Sequence, residues 1–103
     1  MINIVLFCGA GMSTSLLAAR MKEAADAKNI EVSVEAYPIT QLSVIGPTAD
    51  IILLGPQIRH NKNRIVEAVP TVPVEVIDMT AYGMVDGKKV IEQVLQTLGM
   101  QGN

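Results

Sequence analysis

Four consecutive aliphatic residues, Ile51-Ile-Leu-Leu54, stand between Asp50 and the pair Gly55-Pro56. A strand with one wet face alternates apolar and polar residues. A run that is apolar at every position therefore suits a central parallel strand covered on both faces. Parallel neighbours also need crossover connections, usually helices. This short run thus asks for strand partners on either side and helices above and below.

The rest of the chain supplies them. Ile2–Phe7 is an apolar run of strand length, broken by Gly9 and Gly11. From Ser13 to about Lys28 the pattern turns helical, with Leu17, Met21 and Ala24 or Ala25 on one face and Arg20, Glu23 and Asp26 mostly on the other. Asn29, which tolerates a left-handed backbone, marks the stop. Val32, Val34 and Ala36 alternate with Ser33 and Glu35 as a strand ended by Pro38. Ile39–Ala49 is ambiguous: Thr40 could cap a short helix, and Gly46-Pro47 stops anything begun there. Ile58, Lys62, Ile65 and Val69 have helical spacing, and Val74, Val76 and Ile77 give a further strand after Pro70 and Pro73. Beyond the turn-like Tyr82-Gly83, Asp86 is an N-cap for a last helix whose apolar stripe is Val90, Ile91, Val94, Leu95 and Leu98, ended by Gly99. This order predicts a doubly wound α/β unit, a four-stranded parallel sheet flanked by helices on both faces. At 103 residues it predicts one domain, spanning 1–103.

Composition narrows the function by exclusion. The formal net charge of −2 argues against nucleic-acid binding, which needs a basic face to displace counterions. No apolar run approaches the roughly 20 residues needed to cross a bilayer, so no membrane insertion is expected. The first residues lack the basic start and length of a signal peptide, which points to a cytoplasmic protein. One cysteine and one histidine make neither a disulfide framework nor a metal site, and no cofactor is expected.

The single cysteine lies in Leu6-Phe-Cys-Gly-Ala-Gly-Met-Ser-Thr-Ser-Leu-Leu17, between the first strand and the first helix. Ligand sites in such sheets form beyond the carboxyl ends of the strands. Amides of Gly9 to Ser15 would there line a turn into a helix N-terminus, where converging N–H groups and the helix dipole favour an anion. Gly9 and Gly11 let the backbone approach it, and Ser13, Thr14 and Ser15 offer hydroxyls. A thiol in that field ionises more readily, and the thiolate is the nucleophile. A phosphoryl group on Cys8 would have its oxygens beside the loop amides. The residues alone leave a plainer reading open, in which Cys8 is a small buried hydrophobe and the glycines make a tight turn. The loop is neither a dinucleotide fingerprint, lacking the third glycine, nor a Walker A motif, lacking Gly-Lys-Ser/Thr.

Three segments in this order, Leu6–Leu17, Ala49–Gln57 and Pro73–Asp78 followed by Tyr82-Gly83 and Asp86-Gly87, resemble the IIB component of the lactose/cellobiose class of the bacterial sugar phosphotransferase system, in its free-standing form. The resemblance runs along essentially the whole chain. It implies a sheet of strand order 2-1-3-4 and a phosphate loop, Gly9, Ala10, Gly11, Met12, Ser13, Thr14 and Ser15, after a phosphocysteine nucleophile, Cys8. It further implies a phosphohistidine donor, the IIA component, and a sugar acceptor held by the membrane IIC component. A β-linked disaccharide such as cellobiose or chitobiose is favoured, with lactose also possible. A relay that docks two partners in turn is expected to work as a monomer. Gln57 and Tyr82 fall at loops on the same sheet edge as Cys8, so topology brings them near it.

The loop is also similar to that of low-molecular-weight tyrosine phosphatases, whose pattern is Cys, five residues, Arg, Ser. Here the arginine position is Thr14, and no proline follows an aspartate to give the phosphatase general acid. An arginine would grip phosphate bidentately and favour hydrolysis. Its absence favours transfer over a phosphatase or arsenate-reductase-like hydrolase. A non-catalytic anion-binding module is the other alternative. His60 sits in the polar stretch Arg59–Arg64 and reads as solvated. The methionines other than Met12 read as core fillers, and Asp50 and Asp78 as turn or cap residues.

Overall fold

A computed structural model describes residues 1–8 and 14–100, with the backbone alone at Thr14. Strand β1 (Ile2–Cys8) leads into helix α1 (Thr14–Ala27), and β2 (Val32–Pro38) follows. The ambiguous segment resolves into three short helical turns: a 3-10 turn at Ile39–Gln41, α2 (Leu42–Ile45) and a second 3-10 turn at Gly46–Thr48. Strand β3 (Ile51–Leu54) is followed by a 3-10 stretch at Pro56–Asn61 and α3 (Lys62–Ala68). The chain then forms β4 (Val74–Val76), α4 (Met79–Gly83) and α5 (Gly87–Thr97). The strands lie in the order β2-β1-β3-β4, and every pairing is parallel. This is the architecture that the alternation of apolar runs predicts, with 2-1-3-4 as the order.

The apolar run in β3 is buried at all four positions because the sheet is covered twice. Ile51 and Leu53 join Ile4 and Leu6 in one core, closed by Leu17, Met21 and Ala25 of α1 and by Val90, Ile91, Val94 and Leu95 of α5. Ile52 and Leu54 join Val5 and Phe7 in the other, closed by Ile58, Ile65 and Val69. Each fully buried Leu or Ile contributes about 1.5–3 kcal/mol. The first core lets α5 approach α1 very closely: a Cβ on Gly87 would overlap the carbonyl group of Arg20 and come within 2.5 Å of the Met21 amide nitrogen.

Helices α1, α4 and α5 end alike. In α1, Ile30 N–H donates to Ala25 O and Asn29 N–H to Asp26 O, with Asn29 at φ 59°. In α5, Met100 donates to Leu95 O and Gly99 to Gln96 O, with Gly99 at φ 70°. In α4, Asp86 donates to Ala81 O and Val85 to Tyr82 O, with Val85 at φ 53°. All three are Schellman motifs, whose left-handed position favours Gly or Asn. Asn29 and Gly99 were the expected stops; a β-branched residue at Val85 was not.

Two expectations need correction. Tyr82-Gly83 is not a bare turn but the end of α4, set off by Asp78, whose carboxylate accepts from Ala81 N–H at 3.0 Å. The methionines are not mainly core residues. Met21 is fully buried, whereas Met1, Met79, Met84 and Met100 are exposed. A five-residue helix such as α4 buries little more than Ala81, so Met79 and Met84 are left at its flanks. Asp86 caps α5 as expected, accepting from Lys89 N–H.

Candidate functional site

Strand β1 carries its pairing with β2 through to Cys8, opposite Pro38, so the thiol stands on the last rung of the sheet. It is buried, with 4% of its surface exposed. The neighbouring strand β3 ends one residue short of Gly55, whose N–H donates to Phe7 O at 3.0 Å and ties the next turn to the base of the cysteine. Pro56 starts the helical stretch that follows, and Gln57 emerges beside the thiol. On the far side, Ile77 N–H donates to Leu54 O and holds the end of β4 against β3. Asp78 then caps α4, which carries Tyr82 back over the sheet edge.

Three side chains meet there. Gln57 Nε2 donates to Tyr82 Oη at 3.3 Å, and Tyr82 Oη donates to Cys8 Sγ at 3.9 Å. The second distance is long, but sulfur is large and its lone pairs are diffuse. Sequence topology placed Gln57 and Tyr82 on this edge without saying whether they touch the cysteine. The structure joins them into one chain ending on sulfur.

A fourth residue belongs to the site and was read only as a strand boundary. A Cβ on Gly55 would lie 2.9 Å from Cys8 Sγ and 2.6 Å from Gln57 Oε1, closer than non-bonded atoms pack. The backbone of Gly55 is ordinary extended chain, φ −60° and ψ 148°, so what this glycine supplies is space. A glycine just past a buried strand, on the edge that carries the cysteine, was the available signal.

Of the phosphate-loop residues, Gly9, Ala10, Gly11, Met12 and Ser13 lie outside the described residues. Thr14 opens α1, which places the first turn of that helix after the cysteine, and Ser15 in that turn is exposed. His60 is exposed in the stretch after β3, as its polar surroundings predict. Arg59 turns back to donate to Pro56 O at 2.9 Å. Among the described residues no three His, Cys, Asp or Glu side chains cluster to hold a metal ion. No described helix is long and apolar enough to cross a membrane. A cleft of about 390 Å³ against α5 is lined by Asp78, Glu92 and a single lysine, Lys89, among others. Two carboxylates against one ammonium make it a poor anion site.

Known proteins place this geometry in a family. A model described as the phosphotransferase system lactose/cellobiose-specific IIB subunit matches residues 3–93. The oligo-beta-mannoside-specific EIIB component of Bacillus subtilis (strain 168) is 41% identical over 98 residues, covering 93% of this chain and 95% of its own. The cellobiose-specific EIIB component of Lactococcus lactis subsp. lactis is 38% identical over 95 residues, covering 85% and 88%. The solution structure of a cellobiose-specific IIB component from Borrelia burgdorferi superposes with a TM-score of 0.76 at 39% identity, over 99% of this chain and 96% of the other. A lactose-specific IIB domain from Streptococcus pneumoniae, at 17% identity over 93% of this chain and 96% of its own, shares the fold with a TM-score of 0.79. The sheet order, the thiol at its carboxyl edge and the match along the chain lead to one conclusion: this protein belongs to the lactose/cellobiose-specific IIB subunit family of the phosphotransferase system.

Proposed function

We propose that the 103 residues act as one cytoplasmic domain that carries a phosphoryl group on Cys8. In the accepting step a lone pair of Cys8 Sγ attacks the phosphorus of a phosphohistidine on the IIA component. The S–P bond forms as the P–N bond breaks, the electron pair returns to the imidazole nitrogen, and that nitrogen takes up the proton the thiol has lost. In the donating step a hydroxyl oxygen of a sugar held by the membrane IIC component attacks phosphorus. The S–P bond breaks, its electron pair returns to sulfur, and the hydroxyl proton passes to solvent or to a base on the carrier. Gly9 to Ser15 would cradle the phosphoryl oxygens through their amides and hydroxyls.

The observation that carries this reading is the position of Cys8, on the last rung of β1, with the tyrosine hydroxyl aimed at its sulfur. That hydroxyl faces the atom to which the electron pair returns when the phosphoryl group leaves. Thr14, standing where a phosphatase has arginine, favours handing the group on over hydrolysis. Relatives named for cellobiose and for oligo-beta-mannosides support a β-linked disaccharide as the acceptor, cellobiose or chitobiose among them.

The test is a single substitution. Cys8→Ser keeps the fold and takes no phosphoryl group from phosphorylated IIA, whereas the wild type gains the mass of one phosphoryl group at Cys8. Label appearing on Cys8→Ser would assign the carrier elsewhere.

A further inference from the structure

We infer that Gly55, Gln57 and Tyr82 form a single positioning unit for the Cys8 thiol, in which the missing side chain of Gly55 is as necessary as the two hydrogen bonds. The inference rests on Cys8 being the phosphoryl carrier. It adds what aims the sulfur.

An in-line transfer needs the sulfur lone pair directed at phosphorus, and displacement of about 1 Å can cost 100-fold in rate. A cysteine at the end of a strand has one soft torsion, about its Cα–Cβ bond, which swings Sγ between staggered positions. Burial limits that swing without choosing its end point. Tyr82 chooses it: its hydroxyl oxygen lies 3.9 Å from Sγ, held there by α4, whose start Asp78 fixes. Gln57 sets the hydroxyl in turn. By donating Nε2–H to Tyr82 Oη at 3.3 Å, it occupies an acceptor direction of that oxygen and leaves the O–H directed at sulfur. Gln57 itself is exposed, and what lets it lie inward is the open space at Gly55.

A methyl group at Gly55 would meet both ends of this chain at once. Gln57 Oε1, at 2.6 Å, is the far end of a flexible side chain and would swing outward, breaking its bond to Tyr82. Cys8 Sγ, at 2.9 Å, belongs to a buried strand residue and would have to leave its rotamer. One added carbon therefore displaces the nucleophile and undoes its orienting bond.

The experiment measures steady-state transfer from phosphorylated IIA to the full-length protein and its variants, with melting temperature alongside. Gly55→Ala is expected to lower kcat about tenfold or more, with KM for the donor protein unchanged, because aiming acts on transfer and not on docking. Gln57→Ala and Tyr82→Phe are each expected to lower kcat about threefold or more, and the double variant to be no slower than the worse single one, as for members of one unit. A folded Gly55→Ala with wild-type kcat overturns the inference. So does a loss confined to KM, which would make these residues a docking surface. Should Gly55→Ala fail to fold, the Gln57 and Tyr82 cycle decides alone, and additive losses or none would overturn it. Failure of the unit leaves Cys8 phosphorylated normally in every variant, whereas failure of the carrier assignment shows as label on Cys8→Ser.

Discussion

At the amino end of the sheet, Asn3 N–H donates to Asp50 Oδ2 at 2.7 Å and Asp50 N–H donates back to Asn3 O at 2.8 Å. At the carboxyl end, Cys8, Gln57 and Tyr82 are joined by contacts of 3.3 and 3.9 Å. Strands β1 and β3 take part in both arrangements, joined at the carboxyl end by α4, which carries Tyr82. At the amino end the bonds are short and continue outward, from Asn3 Nδ2 to Thr48 O and from Thr48 Oγ1 to Ile45 O. Polar groups there satisfy one another, and the crossover is latched to the sheet. At the carboxyl end the contacts are longer and run through a single tyrosine hydroxyl to the cysteine sulfur. Under the proposed function one end serves stability and the other exchange, as expected of an open parallel sheet whose site lies beyond its strand tips.

The side-chain bonds at the carboxyl end aim the thiol, but the backbone behind it needs a brace of its own. Close packing supplies it. Gly87, at the start of α5, lies against the backbone of Arg20 and Met21 in α1, the helix that follows the cysteine loop. Gly87→Ala must part the two helices and is expected to cost about 3 kcal/mol, the upper range for overpacking, because backbone and not a side-chain tip stands in the way. Chemical denaturation checks it. A loss below about 1 kcal/mol would mean the helix pair yields easily and does not brace the site.

A smaller effect is expected at the amino end. Asp50→Ala removes the acceptor for Asn3 N–H, and because the group is exposed the cost is about 1 kcal/mol. Transfer from phosphorylated IIA should be unchanged in this variant. A transfer rate that fell along with stability would erase the division of labour between the two ends.

The latch and the site differ in how far the sequence foretold them. Alternating apolar runs were enough for the sheet, because a strand buried on both faces has nowhere else to lie, and Ile51–Leu54 could only be central. The convergence of Cys8, Gln57 and Tyr82 on one edge followed from topology for the same reason. What escaped were features set by three-dimensional volume or by very short elements. Gly55 matters through a gap between two strand ends, which no spacing rule encodes. Helix α4 is five residues long, below the length at which an apolar stripe is recognisable, and only its cap, Asp78, left a mark. The segment Ile39–Thr48 crosses the face of the sheet that bears the second core in three short turns and has no period to read.

Helix ends give the finest version of the comparison. Helices α1 and α5 finish toward the amino end, where Lys28, Leu95 and Met100 line one cleft, and they close their Schellman motifs with Asn29 and Gly99. Helix α4, which carries the site tyrosine, closes the same pair of hydrogen bonds with Val85 at φ 53°. A β-branched residue in that region costs about 1–2 kcal/mol. Val85 is half-buried and packs on the α1/α5 core, and burial of that extent returns about 1 kcal/mol. Asn29 is exposed and has no such compensation. Asn29→Val should therefore cost about 1–2 kcal/mol, whereas Val85→Gly, which removes strain and packing together, should change stability by no more than about 0.5 kcal/mol. A marked gain for Val85→Gly would mean that the valine's packing does not offset its backbone, and that strain is stored next to Tyr82. In that event the same variant would be the one to assay for transfer, since relaxing the end of α4 would also relax the hydroxyl that the helix holds over Cys8.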